Sequence, residues 1–172
     1  MFTIREEIPA DIAAIAEVNR AAFGGEDEVK LVDLLRSSGH VLVSLVALDG
    51  DRVIGHILFS PLVIETPDGE RAAAALAPMA VLPEWQRRGA GSALVRAGLD
   101  ECRRKDMGVV IVVGHPEYYP RFGFSAALAQ DLDSPYPDLG DAWMALELTP
   151  GALAGVSDGP LFRSLRRYLG CC

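Results

Sequence analysis

The chain has 172 residues, half of them apolar, with 24 acidic against 16 basic side chains and a formal net charge of −8. That is enough apolar chain for one substantial core, so a single domain is expected over residues 1–172. The acidity argues against a nucleic-acid surface, where phosphates need clustered Lys and Arg, and is compatible with a neutral or cationic partner.

The opening MFTIREEIPAD has neither an uninterrupted apolar segment nor a small-residue cleavage site. No apolar run reaches the roughly 20 residues that cross a bilayer, so a cytoplasmic protein with no membrane partner is expected. FTIREE alternates as a short strand. In PADIAAIAEVNRAAF, Pro9 precedes Asp11, and Ile12, Ile15, Val18 and Phe23 recur at near-helical spacing, which predicts an amphipathic helix. EDEVKLVDLLRSSG predicts a second helix, with Val29, Leu31, Leu34 and Leu35 apolar and Gly39 past its end. VLVSLVAL and VIGHILFSPLVIE read as a hairpin about Asp49-Gly50. TPDG then turns into RAAAALAPMAVLP, a third long strand. Leu94, Gly98 and Cys102 recur at four-residue spacing beside Val95 and Leu99, predicting a helix whose closing RRK suits its dipole. GVVIVVG is a short strand of the wholly buried type, and DAWMALEL a last strand after an irregular stretch. The order gives an α/β protein of the α+β type, a mixed, mostly antiparallel sheet with helices on both faces. Cys102 falls on a helix stripe and Cys171-Cys172 ends the chain, which matches neither a disulfide framework nor zinc-ligand spacing, and no metal is expected.

VLPEWQRRGAGSAL, Val81 to Leu94, runs a strand into two arginines, two glycines and a helix start. Unpaired N–H groups of a first helical turn, together with the dipole, attract anions. Gly89 and Gly91 remove the Cβ atoms that would hold a bulky anion off those amides, and Arg87 and Arg88 add charge. Two phosphate motifs fail on these letters. The dinucleotide fingerprint needs a glycine where Leu94 stands, and the triphosphate loop needs Lys then Ser or Thr where Ser92 stands. A nucleotide-binding protein is therefore disfavoured.

QRRGAG, Gln86 to Gly91, resembles the pyrophosphate-binding signature Gln/Arg-x-x-Gly-x-Gly/Ala of the GNAT superfamily of acyl-CoA-dependent N-acetyltransferases, and it follows a strand ending Val81-Leu82-Pro83 as in that family. YYPRFGF, Tyr118 to Phe124, is similar to the family's Tyr-x-x-x-Gly-Phe segment after the fifth strand. The YYxRFGF form and ALELTPGALAGVS, Ala145 to Ser157, resemble a bacterial subgroup of predicted acetyltransferases. The likeness departs over 158–172, a variable C-terminal extension.

The resemblance implies a GNAT-like sheet with a splayed central strand pair and acetyl-CoA as cosubstrate. It places the pantetheine arm on the main chain of Met79, Ala80 and Val81, where Pro78 has no N–H to give a ladder. The pyrophosphate would lie on Gln86, Arg87, Arg88, Gly89, Ala90, Gly91 and Ser92. The implied reaction is direct attack of a small-molecule or peptide amine on the thioester in a ternary complex. A strand N–H would stabilise the oxyanion and an acid would protonate the thiolate. Tyr119, four residues before Gly123, stands where the family's acid stands; the competing reading packs Tyr118 and Tyr119 under the sheet. Glu26, Glu84 and Glu147 are candidates for acceptor binding or general base, each also explicable as a structural carboxylate. His115 is a candidate proton shuttle or packing residue, and Cys102 need not be a nucleophile. The competing function class is a non-catalytic acyl-CoA-binding module. Dimers are common in the family, and a homodimer is compatible with the chain.

Overall fold

The computed structural model describes residues 1–66, 69–132, 134 and 138–156; the extension over 158–172, with Cys171 and Cys172, lies outside them. Among the described residues there are six strands, β1 Thr3–Glu6, β2 Val43–Asp49, β3 Arg52–Thr66, β4 Gly69–Val81, β5 Val109–Val113 and β6 Trp143–Glu147. Four α-helices accompany them, α1 Ile12–Phe23, α2 Asp27–Ser37, α3 Ala90–Arg104 and the one-turn α4 Ala126–Ala129. The strands lie in the sheet in chain order. Pairing of β1 with β2, β2 with β3 and β5 with β6 is antiparallel, whereas β4 and β5, joined through α3, are parallel. This is the mixed sheet that the pattern predicts. By contact density the chain forms two compact units, Met1–Ser60 with Ala77–Glu101, and Pro61–Leu76 with the chain from Cys102 onward.

In the first unit, Asp11 organises the start of α1. Its carboxylate accepts the Ile8 N–H at 2.8 Å and two bonds from Arg5 at 2.6 and 3.0 Å, tying β1 to the helix. α1 stops where Gly24 turns left-handed (φ 77°) and donates its N–H to the Arg20 carbonyl. β2 is buried at six consecutive positions, which is why its letters run apolar without alternation apart from Ser44. Gly98 lets α3 lie against β3, since a Cβ there would fall 2.2 Å from Phe59 Cε2.

A polar chain also crosses this unit. Arg36 on α2 donates through Nε and Nη2 to the two Glu7 oxygens at 3.0 and 2.7 Å. Ser44 Oγ donates to Glu7 Oε2 at 2.5 Å and lies 3.0 Å from His56 Nε2. Asn19 Nδ2 donates to the Ile15 carbonyl at 2.9 Å and lies 3.3 Å from His56 Nδ1. Turning the amide over would set its oxygen against the Ile15 carbonyl, so Nδ2 faces the imidazole, Nδ1 accepts, and the proton sits on Nε2 toward Ser44. Desolvation pulls the fully buried His56 below its ordinary value of 6.5, against the pull of Glu7. Desolvation pushes Glu7 up, but the nearby His56 and the bonds from Arg36 and Ser44 together outweigh it and hold the carboxyl far below the usual range.

The second unit packs Leu62 and Ile64, Ala73 and Ala75, Val109 and Ile111, and Ala145 into one cluster, with Trp143 and Leu153 against it. The small side chains of the β4 alanine run suit a strand covered by neighbours.

Candidate active site

The turn from β4 into α3 belongs to the first unit. Leu82 N–H bonds the Ile54 carbonyl at 2.9 Å, and Pro83–Trp85 make one 3-10 turn. Gln86 Nε2 then reaches back to the Val81 carbonyl at 3.0 Å, fastening the turn to the strand end. Arg87 is left-handed at φ 59° and Gly89 at φ 92°, so the backbone reverses on either side of Arg88 before α3 begins at Ala90. At Gly89 that conformation favours glycine, and the nearest atom to an added Cβ would be Phe2 Cζ at 4.0 Å, which leaves room beside the first amides. The Arg88 guanidinium stacks over Trp85 at 5.4 Å from the ring centroid, and Arg52 Nη2 pairs with Glu84 Oε1 at 2.8 Å. Positive charge and free helix-start amides therefore converge on a braced turn, a geometry that suits a phosphate group. Trp85 and Arg52 are parts of this bracing that the letters did not mark; an aromatic three residues before an arginine in a glycine turn was the available signal.

Along β4, Met79 is half-buried, while Ala80 and Val81 are buried. The parallel ladder with β5 runs from Ala73↔Val109 to Leu76↔Val112 and takes in no later residue of β4. The ladder thus ends just before Pro78, as the missing N–H foretells.

Tyr119 belongs to the second unit. The N–H groups of Tyr118 and Tyr119 both donate to the His115 carbonyl, at 2.9 and 3.3 Å, folding the chain back after β5. The Tyr119 ring, 6% exposed, meets Tyr118, Phe122 and Phe124 edge-on at 5.1, 6.5 and 5.6 Å between centroids. Burial, with a smaller push from Tyr118, raises its phenol well above the ordinary 10. The Tyr119 ring is therefore part of the core.

The three candidate carboxylates are engaged. Glu26, between α1 and α2, binds Arg20 through both oxygens, and Glu84 pairs with Arg52. Glu147 accepts the N–H groups of Gly151 and Leu153 at 3.2 and 2.7 Å, closing the turn after β6. His115 is exposed and serves the turn through its carbonyl. Cys102 is fully buried on α3.

A family model described as an acetyltransferase (GNAT) domain matches residues 3–127. The chain therefore belongs to the GNAT family and is an N-acetyltransferase. It is 36% identical over 155 residues to the uncharacterized N-acetyltransferase YhbS of Escherichia coli, covering 90% of this chain and 92% of that one. To YjhQ, another uncharacterized N-acetyltransferase of that organism, it is 35% identical over 162 residues, covering 90% of each. The crystal structure of E. coli YhbS in complex with CoA superposes with a TM-score of 0.87 at 33% identity, over 99% of this chain and 94% of that one. A GNAT family acetyltransferase from Brucella melitensis in complex with acetyl-CoA superposes with a TM-score of 0.76 at 32% identity, over 94% and 95%. No helix among the described residues is long and apolar enough to cross a membrane.

Proposed function

We propose that this chain moves an acetyl group from acetyl-CoA to an amine acceptor by direct attack, without a covalent enzyme intermediate. The observation that carries the reading is the braced turn Gln86–Gly89 leading into α3, with left-handed Arg87 and Gly89. Two relatives similar over almost the whole chain are known with CoA or acetyl-CoA bound, which supports the same ligand here. Amides from Arg87 to Ser92 receive the pyrophosphate, with Gln86 fixing the turn and Arg88 supplying charge. The main chain of Met79, Ala80 and Val81 hydrogen-bonds the pantetheine arm. Acetyl-CoA supplies an activated thioester carbonyl. Tyr119 gives its phenolic proton to the departing sulfur as the carbon–sulfur bond breaks, and the proton that the attacking nitrogen sheds on becoming an amide passes to solvent, from which the phenol is reprotonated. Most of the rate comes from holding the amine against the carbonyl, where positioning is worth about 7 to 11 kcal/mol against roughly a hundredfold from one proton-transfer group. Glu26, on the connection of α1 to α2, is held by Arg20 as Glu84 is by Arg52 and Glu147 by the N–H groups of Gly151 and Leu153, so all three act through the groups they already bind.

Gly91→Glu tests the assignment, because it adds bulk and negative charge where the pyrophosphate lies. Calorimetric affinity for acetyl-CoA should collapse while circular dichroism stays native, and retained affinity would refute the site. In the unaltered protein, acetyl-CoA at a hundred times its Kd should add about 2.7 kcal/mol of stability, read as a raised Tm.

A further inference from the structure

Gly114 follows β5 directly and precedes the turn that carries Tyr119. Its N–H donates to the Ala142 carbonyl at 3.0 Å, so its backbone is held to the 3-10 turn Gly140–Ala142 that leads into β6. Its φ lies outside the left-handed region, and the main chain there does not itself require glycine. The Tyr119 ring does. A Cβ built on Gly114 would fall 2.2 Å from Tyr119 Cε2, 2.7 Å from Cδ2 and 3.2 Å from Cζ, the carbon that bears the hydroxyl. Tyr118 and Phe124 also pack on the ring, T-shaped, with centroids 5.1 and 5.6 Å away. The Cε2 side of the phenol ring therefore closes on a bare stretch of main chain, with other aromatic rings packed around it.

We infer that Gly114 is a positioning residue for the acetyl transfer, setting where the Tyr119 hydroxyl sits by the absence of its own side chain. The inference rests on the reading of Tyr119 as the proton donor. An ordinary carbon–carbon contact needs about 3.5 Å, so one methyl at Gly114 drives the ring back by more than about 1 Å. A displacement of about 1 Å in a reacting group is enough to lose up to about a hundredfold in rate. Binding of acetyl-CoA, assigned to the turn before α3, does not depend on this contact.

The test is a cycle of Gly114→Ala, Tyr119→Phe and the double variant. Thiol release from acetyl-CoA is followed with the best acceptor from a panel of polyamines, aminoglycosides and lysine peptides, or with water if none accelerates it. Gly114→Ala should lower kcat about tenfold or more with the KM for acetyl-CoA within about twofold, and should lower it no further in the Tyr119→Phe background. If Gly114→Ala keeps wild-type kcat while Tyr119→Phe does not, the positioning role is wrong and the acid reading stands. An equal further loss in the Tyr119→Phe background would show that Gly114 acts elsewhere and overturn the proposal. If Tyr119→Phe itself leaves turnover within about twofold, both readings fall. A melting series needs no acceptor and guards against a misfolded variant. Gly114→Ala should lower Tm in the wild type and cost nothing more once Tyr119→Val has removed the ring atoms it strikes. Equal losses in both backgrounds would sink the contact and the proposal with it.

Discussion

Tyr119 has an ordinary pKa of 10, raised further by burial, against about 8.5 for a free thiol, so a full proton transfer from it to a thiolate is uphill. It can assist only as charge develops on the sulfur, which makes placement more important than acidity. Tyr119→Phe keeps the ring and its aromatic contacts, and should lower turnover about tenfold or more while Tm and acetyl-CoA affinity hold. Because the phenol stays protonated, the kcat–pH profile should show no basic limb from Tyr119 up to about pH 10; a limb near pH 9 that vanishes in Tyr119→Phe would contradict the burial argument. The position of Tyr119 was legible from its spacing to Gly123. Its setting was not, since the contact with Gly114 arises from a turn whose fold depends on the His115 carbonyl accepting two N–H groups.

At the scale of elements, α3 on β3 is the packing that fixes the helix start proposed to bind the pyrophosphate. Ala is favoured over Gly inside a helix by about 1 kcal/mol, which by itself makes Gly98→Ala stabilising. Against that stands a methyl 2.2 Å from a fully buried Phe59 ring, and overpacking of this kind costs about 1 to 3 kcal/mol. The clash should win, giving a net loss in urea unfolding; a gain would mean that Phe59 has another rotamer available. Most elements were legible because periodicity and turn residues are local. β1, the two helices after it, the Asp49-Gly50 hairpin, α3 and the apolar β5 all follow their letters. What stayed hidden joins distant positions: Arg36 meets Glu7 across 29 residues and His56 meets Asn19 across 37, and no spacing rule brings them together. The engagement of Glu147 with Gly151 and Leu153 was closer in sequence but needed the path of the turn.

For the whole molecule, two electrostatic effects oppose each other as pH falls from 8 to 5. The net charge of −8 shrinks toward the isoelectric point near 4.8, which relieves self-repulsion and favours the compact state. The Asn19–His56–Ser44–Glu7–Arg36 chain acts the other way. His56 has a folded pKa below its ordinary 6.5, so the neutral ring's contribution is complete above 6.5 and drains as pH falls below it. Glu7 is depressed too, from 4.5, so its contribution is complete above that value and drains only in stronger acid. One proton taken up only by the unfolded chain changes stability by up to about 1.4 kcal/mol per pH unit, whereas diffuse surface repulsion is screened by salt with a Debye length of about 8 Å at physiological ionic strength. Stability should therefore decline between pH 6.5 and 5, and the decline should persist at high salt because the network is buried. His56→Gln should flatten that segment at some cost in stability at pH 8, and Glu7→Gln should flatten the segment below pH 4.5. Urea unfolding at half-unit pH steps, in low and high salt, reads all three curves. A stability that rises toward pH 5 and loses that rise in salt would show net charge, and not the His56 network, governing the acid response of this acetyltransferase.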